Sequence, residues 1–262
     1  MKICLLGLAW DASSSHSRGP ALAPAIVDAL LSSDASSPYS LTGLSVDECL
    51  TDRHFPKLPE DAEQARAAIS DAVASILDAK MQPLSLGGDH SVTYPILQAM
   101  AARYGPLNIL HVDAHPDLYD VLDGDRFSHA CPFRRAVEDG CINRLIQVGI
   151  RSATPEQRAF AEERGIMMLG VDEWGKIPYA ELVDPLYVSI DLDGIDPAFA
   201  PGVSHPEPGG LSSREAIALL GKLPVAPVGA DIVELNPERD IGLLTAHLAG
   251  RLVKELAAKM VG

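Results

Sequence analysis

Short apolar runs alternate with longer amphipathic segments along most of the chain. The short runs are typical of buried strands, whereas apolar residues that recur every three or four positions indicate helices. Residues 58–80 show the helical pattern most clearly, through Ala65, Ile69, Val73 and Ile76. Strands are predicted at 1–9, 41–46, 83–86, 109–112, 145–150, 166–170, 186–191 and 225–233. Helices are predicted near 21–31, 58–80, 92–103, 132–138, from 155 onward, 212–220 and 241–259.

Capping signals support two of these helices. Thr154 and Gln157 flank Pro155 in the pattern of a capping box, with proline at the first helical position. Ser212 and Glu215 form a second capping box. The loops at 10–20 and 32–40 are rich in serine and contain no such signal.

Strands that alternate with helices predict right-handed crossovers and a parallel sheet covered on both faces. We therefore expect a three-layer α/β/α fold with a mainly parallel sheet of about eight strands. The chain has 262 residues, and no segment resembles a linker, so one domain over 1–262 is predicted.

Composition narrows the class of partner. The formal net charge of −15 argues against nucleic acid and anionic membranes, and favours a cationic ligand or metal ions. The four cysteines show no paired spacing, which fits reduced thiols in a cytoplasmic protein. The apolar start lacks a basic leader, so a first strand is expected there and not a signal peptide, and no apolar run has transmembrane length.

Chemistry-bearing side chains follow four of the predicted strands. Asp113, His115 and Asp117 alternate after the strand at 109–112, so their side chains can face one point. The other strand ends carry Asp89 and His90, Asp191 and Asp193, and Glu234. Ligands bind at the carboxyl ends of parallel strands, so these groups predict one shared site.

Six of these residues are candidate metal ligands: His90, Asp113, His115, Asp117, Asp191 and Asp193. Two imidazoles with four carboxylates are too many ligands for one tetrahedral zinc and too rich in oxygen for copper. They suit two ions such as Mn²⁺, and a pair of divalent ions lowers the pKa of a bound water enough for hydrolysis near neutral pH.

Four ordered motifs resemble the ureohydrolase family, which includes arginases, agmatinases, guanidinobutyrases, proclavaminate amidinohydrolases and formiminoglutamases. The motifs are Gly-Gly-Asp-His-Ser at 87–91, Asp-Ala-His-Pro-Asp at 113–117, the segment Ser-Ile-Asp-Leu-Asp-Gly-Ile-Asp-Pro-Ala-Phe-Ala-Pro-Gly at 189–202 and Glu-Leu-Asn-Pro at 234–237. The resemblance implies an enzyme with two Mn²⁺ that releases urea and an amine from a small cationic guanidino substrate. It also implies a trimer or a hexamer.

The resemblance assigns a role to each candidate ligand. The first manganese would be bound by His90, Asp113, Asp117 and Asp191. The second would be bound by Asp113, His115, Asp191 and Asp193, so that Asp113 and Asp191 bridge the two ions.

The resemblance also assigns catalytic and substrate-binding residues. His129 matches a histidine that shuttles protons, although a loop histidine bonded to backbone is the alternative. Glu234 matches the carboxylate that pairs with the guanidinium, with a buried structural acid as its alternative. Asp193 or Asp117 would relay a proton to the leaving amine, and His205 is assigned to the substrate pocket.

Two neighbouring residues are expected to play supporting roles, and a third is expected to belong to the core. Asp89 is predicted to orient His90, and Asp196 to hold a loop. His111 is expected to be a core histidine, with a supporting role beside the metal site as the alternative.

The sequence leaves two guanidino compounds, agmatine and arginine, as candidate substrates. The residues with which animal-type arginases bind the amino-acid end of their substrate are absent from this chain. The acidic residues Asp123 and Asp125 suit a dicationic substrate, so agmatine is favoured. Residues 191–211 and 230–237 also resemble plant-type arginases, which keeps arginine as the alternative. Other guanidino or formimino hydrolases, a single-zinc deacetylase of the same fold and a non-catalytic metal-binding protein are the remaining alternatives.

Overall fold

The computed structural model describes residues 2–34 and 36–262. Met1, at the beginning of the predicted first strand, and Ala35, in the predicted loop at 32–40, lie outside the described residues.

The described residues form eight strands and eight α-helices in close alternation. The strands are β1 Ile3–Gly7, β2 Leu50–His54, β3 Gln82–Leu86, β4 Leu107–Val112, β5 Ile142–Val148, β6 Met167–Leu169, β7 Leu186–Asp191 and β8 Gly229–Val233. The helices are α1 Ala23–Leu31, α2 Val46–Cys49, α3 Ala62–Asp78, α4 Thr93–Tyr104, α5 Pro132–Glu138, α6 Pro155–Arg164, α7 Ser213–Gly221 and α8 Leu244–Val261.

The strands form one sheet in the order β2-β1-β3-β8-β7-β4-β5-β6, and each neighbouring pair is parallel. The predicted fold class is confirmed. Both capping boxes are also present, at Thr154 with Gln157 and at Ser212 with Glu215. These local signals act through backbone N–H groups of the first helical turn, so the sequence alone is enough to place them.

The predicted strand at 41–46 is wrong. Leu41 is 72% exposed, and Ser45 caps the short helix α2 by accepting a hydrogen bond from the N–H of Asp47. The strand lies later, at β2, where most side chains are exposed and charged or polar. β2 forms the edge of the sheet and pairs only with β1, so it lacks the apolar pattern of a buried strand.

Alternate residues of the strands pack into two apolar layers. Ile3 and Leu5 of β1 belong to the layer under α1, α2, α7 and α8, whereas Cys4 and Leu6 belong to the layer under α3–α6. The sheet is therefore buried on both faces, as the near-continuous apolar runs predict.

The four strands that carry the candidate residues are neighbours in the middle of the sheet, in the order β3, β8, β7, β4. The carboxyl ends of these strands lie at nearly the same height, because Val112 is paired with Ile190 and Asp191 with Val233. Residues that follow these strands therefore meet above the same edge.

The structure bears on the expectations about membrane-spanning segments and about the cysteines. No helix of the described chain is long and apolar enough to cross a membrane. All four cysteines are free and buried.

Candidate metal centre and substrate pocket

Nδ1 of His90 is the point on which the first predicted ligand set converges. Asp117 Oδ2 lies 2.9 Å from it, Asp191 Oδ2 lies 3.1 Å away and Asp113 Oδ2 lies 3.3 Å away. The His90 side chain is fully buried. The structure thus brings together all four residues that the sequence assigns to one metal.

A second group adjoins the first through Asp113. Nδ1 of His115 lies 3.1 Å from Asp193 Oδ2 and 3.5 Å from Asp113 Oδ1. Asp113 therefore turns one carboxylate oxygen toward each histidine, as expected for a bridging ligand. Asp191 joins this group less directly, since its Oδ1 accepts a hydrogen bond from the backbone N–H of Asp193 at 2.8 Å.

Without a cation, the ionised forms of Asp191 and Asp193 are unfavourable in this centre. Burial, followed by the charges of Asp193 and Asp113, raises the pKa of Asp191 well above its usual range. Burial and the charge of Asp113 raise the pKa of Asp193 to about 7. A bound cation would relieve this repulsion, because opposite charge favours the ionised carboxylate.

The hydrogen bonds around His90 leave one nitrogen free for such a cation. Nε2 lies 3.1 Å from Ser189 Oγ, and that hydroxyl donates to Asp231 Oδ1 at 2.6 Å. Oγ of Ser189 must therefore accept a hydrogen bond from Nε2–H, which places a proton on that nitrogen. Nδ1 faces the three carboxylates; burial lowers the pKa of His90, but these carboxylates outweigh burial and raise it, so Nδ1 carries a proton without a cation and offers its lone pair when a cation takes the place of that proton. The imidazole and carboxylate donors fit Mn²⁺ or a similar ion.

His111 is fully buried, as expected of a core histidine, and it also contacts this centre, which is the alternative role considered for it. Its Nε2 lies 2.9 Å from Asp113 Oδ2, and its Nδ1 lies 3.0 Å from the Nε2 of Gln147. Since the amide nitrogen of Gln147 can only donate, Nε2 of His111 carries the proton that bonds Asp113. The neutral ring thereby orients the shared carboxylate.

Asp89 does not orient the His90 ring as predicted. Its Oδ1 accepts from the N–H and hydroxyl of Ser91, and its Oδ2 accepts from Ser13 N–H and Ser14 Oγ. Asp89 instead caps the short turn that begins at His90, and it ties the loop at 10–20 to the site. The sequence could not reveal this, because the loop is distant along the chain.

Glu234 and His129 form the base of the pocket. Oε1 of Glu234 accepts from the backbone N–H of His90 at 3.0 Å and lies 3.0 Å from Nδ1 of His129. Oε2 is buried and has no partner. The φ angle of Glu234 is 64° and that of Asp117 is 52°, conformations that carry strain in non-glycine residues and are concentrated at functional sites.

His129 connects this carboxylate to the exterior. Burial lowers its pKa, but the hydrogen bond and charge of Glu234 outweigh burial and raise it to about 9. Its Nε2 lies 2.9 Å from Oγ of Ser15, an exposed residue of the loop at 10–20. The histidine therefore links a buried acid to a hydroxyl at the surface.

The pocket above these groups is lined from several loops. His205 is part of its wall, with its ring centroid 5.2 Å from that of His129 and 5.5 Å from that of His16. The full lining is Ser15, His115, Asp117, Tyr119, Leu122, His129, Ala130, Asp191, Asp193, His205 and Glu234. His54 lies elsewhere, at the exposed end of β2.

Asp123 and Asp125 do not line the pocket. Both are exposed, and Asp125 Oδ1 accepts from the N–H of Phe127 within its own turn. Of this loop, only Leu122 belongs to the pocket wall. Neither acid is therefore placed to receive a second cationic end of a substrate bound in the pocket.

The loop that follows the last ligands is held as expected at one end. Asp196 accepts from the N–H groups of Gly209 and Gly210 at 2.6 and 3.1 Å.

The sequence did not reveal Glu207 as a functional residue, although its Oε1 lies 3.6 Å from Nε2 of His115. Its position two residues after His205 was the available signal.

Comparisons with known proteins agree with this geometry. The model of the arginase family matches residues 1–258. Arginase 1, mitochondrial, of Arabidopsis thaliana is 39% identical over 274 residues, covering 98% of this chain and 80% of that protein. The mitochondrial agmatinase of Gallus gallus is 37% identical over 219 residues, covering 78% of this chain and 63% of that protein. The solved structure of an arginase from Medicago truncatula superposes with a TM-score of 0.93 at 37% identity, covering 99% of this chain and 87% of that one.

Proposed function

The chain belongs to the arginase family of hydrolases that act on guanidino compounds, and from this premise we propose that it hydrolyses L-arginine to ornithine and urea with two bound manganese ions. The observation that carries the proposal is the convergence of Asp113, Asp117 and Asp191 on the free Nδ1 of His90. A bound cation would satisfy the buried nitrogen and the three carboxylates together.

The ions would be held by the two ligand sets that Asp113 joins. When bound, they supply a water of lowered pKa and stabilise negative charge that develops on the substrate. The protein's own contribution is to place the guanidino group, to keep competing water out and to manage protons.

Glu234 is suited to hold the guanidinium. Its Oε1 already accepts hydrogen bonds, so the buried and unpartnered Oε2 is the atom available to the N–H groups of the substrate. Such charge-assisted bonds are short and directional. The strained backbone of Glu234 fixes the direction of this carboxylate.

The departing amine needs a proton, because an amide anion is a very poor leaving group. Asp117 and Asp193 line the same pocket and are the acids that can relay this proton. That proton leaves with the amine, so the water that enters for the next cycle must lose one to solvent, and His129 can carry it outward because its Nε2 contacts Oγ of Ser15. The contacts of His129 with Glu234 and Ser15 exist before the substrate arrives.

The choice of arginine rests on two observations. Similarity to the Arabidopsis arginase extends over 98% of this chain. The imidazole of His205 lines the pocket and lies 5.5 Å, between ring centroids, from that of the exposed His16, and both rings can donate hydrogen bonds to a carboxylate.

Agmatine is the second candidate, and one observation favours it. Among the described residues, the pocket wall contains no lysine or arginine that would neutralise a substrate carboxylate. A substrate with a second cationic end would meet no repulsion there.

A urea-release assay on manganese-loaded protein tests the proposal. L-arginine, agmatine and guanidinobutyrate are compared in parallel, and formiminoglutamate is followed through release of glutamate. Arginine should give the highest kcat/KM, and Glu234→Gln should abolish turnover while Glu238→Gln, an exposed control, should not. Preference for agmatine would overturn the assignment of arginine as the substrate, and absence of product from every compound would favour a non-catalytic metal-binding protein.

The cytoplasmic location and the trimeric or hexameric assembly stay predictions.

A further inference from the structure

Arg151 lies three residues beyond β5, and its guanidinium is engaged entirely by backbone carbonyls. Nη2 donates to Asp193 O at 2.6 Å and to Glu207 O at 2.5 Å, and Nε donates to Glu207 O at 3.2 Å. Nη1 donates to the carbonyls of Gly149 and Gly194 at 3.0 and 3.3 Å. An arginine used in this way connects chain segments and does not serve as a partner for one acid.

The segments that Arg151 connects are those around the second ligand group. Asp193 is itself a candidate ligand, and Glu207 Oε1 faces Nε2 of the ligand His115 at 3.6 Å. The backbone N–H of Arg151 also donates to Ala114 O at 2.9 Å, between Asp113 and His115. One residue thus contacts every segment that supplies or orients His115 and Asp193.

We propose that Arg151 is a positioning residue for one of the two metal ions, the one held by His115 and Asp193. Its side chain fixes the backbone of Asp193, and it fixes Glu207 so that the Glu207 carboxylate orients the His115 ring. The proposal rests on the proposed function, because it assigns a role within that metal centre. The ion at His90 depends on other supports, namely Ser189 and Asp231.

Only an arginine meets these requirements. The planar guanidinium carries five N–H donors in a fixed fork, whereas a lysine ammonium carries three donors at one point. Arg151→Lys should therefore keep some contacts and Arg151→Gln should keep fewer. The loop itself should stay attached in both variants, because Asp196 holds Gly209 and Gly210 independently.

Arg144 offers a matched control. It lies near the amino end of β5, whereas Arg151 follows the carboxyl end, and it donates to Gly165 O and pairs with Glu181. Arg144→Lys and Arg144→Gln change the same chemistry without touching the site, so they report the general effect of losing an arginine.

Manganese titration of metal-free protein by calorimetry tests the proposal. Wild type and the Arg144 variants should bind two ions per chain. Arg151→Gln should bind one of them ~10–100-fold more weakly, the usual effect of losing a residue that orients a ligand, and Arg151→Lys should lie between. Unchanged affinity for both ions in Arg151→Gln would overturn the proposal, as would equal weakening of both.

Hydrogen exchange in the metal-free proteins keeps the test independent of the proposed function. Amides of residues 203–208 should exchange faster in Arg151→Gln than in wild type and the Arg144 variants, whereas those of Gly209 and Gly210, which donate to Asp196, should not. Equal exchange would overturn the positioning role. If wild type binds fewer than two ions, the two-metal function fails, and the exchange result still decides whether Arg151 holds the loop.

Discussion

Nδ1 of His129 lies 3.0 Å from Oε1 of Glu234, so the side chain proposed to move protons is paired with the carboxylate proposed to hold the substrate. The two pKa directions agree with this pairing. Burial opposes both charges, yet the pKa of His129 rises to about 9 and that of Glu234 falls. At neutral pH the imidazolium on Oε1 therefore competes electrostatically with the substrate guanidinium that Oε2 would bind, because it already neutralises the charge of Glu234.

The first prediction follows from this competition. As the pH rises from about 7 to about 9, His129 loses its proton and releases Glu234, so kcat/KM should increase. His129→Asn should have lower activity and a flatter profile over this range. A bound water that titrates would affect both proteins alike, so the difference between the profiles is the measurement, and identical slopes would contradict the prediction.

The second prediction concerns the shared carboxylate. Asp113 faces His90 with one oxygen and His115 with the other, so Asp113→Asn should weaken both metal ions and abolish turnover. His90→Asn should weaken mainly one ion. Elemental analysis after gel filtration measures the metal content, with the exposed Asp123→Asn as control. Two ions retained per chain in Asp113→Asn would rule out the bridging role.

The third prediction concerns the support of His90. Ser189→Ala removes the hydroxyl that accepts from Nε2, which should weaken metal binding ~10–100-fold with the fold preserved. Ser85→Ala is the matched control on β3, since Ser85 is fully buried and its hydroxyl has no hydrogen-bond partner. Titration with manganese compares the two variants, and equal affinities would show that Ser189 does not set the ring tautomer.

The fourth prediction concerns metal removal at different pH values. The raised pKa values of Asp191 and Asp193 mean that the metal-free folded state holds more protons than the unfolded chain, so its stability falls as the pH rises from about 4 to about 7. Burial lowers the pKa values of His90 and His115, but their carboxylate partners outweigh it and raise both, and that contribution is also lost with rising pH.

Chelation should therefore lower the melting temperature more at about pH 8 than at about pH 5. Thermal unfolding of metal-free and manganese-loaded protein at both pH values provides the measurement. A gap between the two forms that stays constant with pH would show that these buried groups do not control stability.

Local and periodic features of the sequence determined most of the fold. Apolar runs and amphipathic segments gave seven of the eight strands in their places, because burial on both faces imposes a pattern that does not depend on distant partners. The edge strand β2 was missed for the same reason, since its exposed polar side chains carry no such pattern.

The candidate ligands could be chosen from the sequence because each lies at the end of a strand or within five residues after it, and parallel strands end at one edge. The tertiary structure alone decided which groups support them. Asp231 reaches His90 through Ser189, Asp89 holds a loop more than 70 positions away, and Arg151 joins Asp193 to Glu207. These contacts depend on strand order and register, which bring remote segments within hydrogen-bond distance, and no local pattern encodes that proximity.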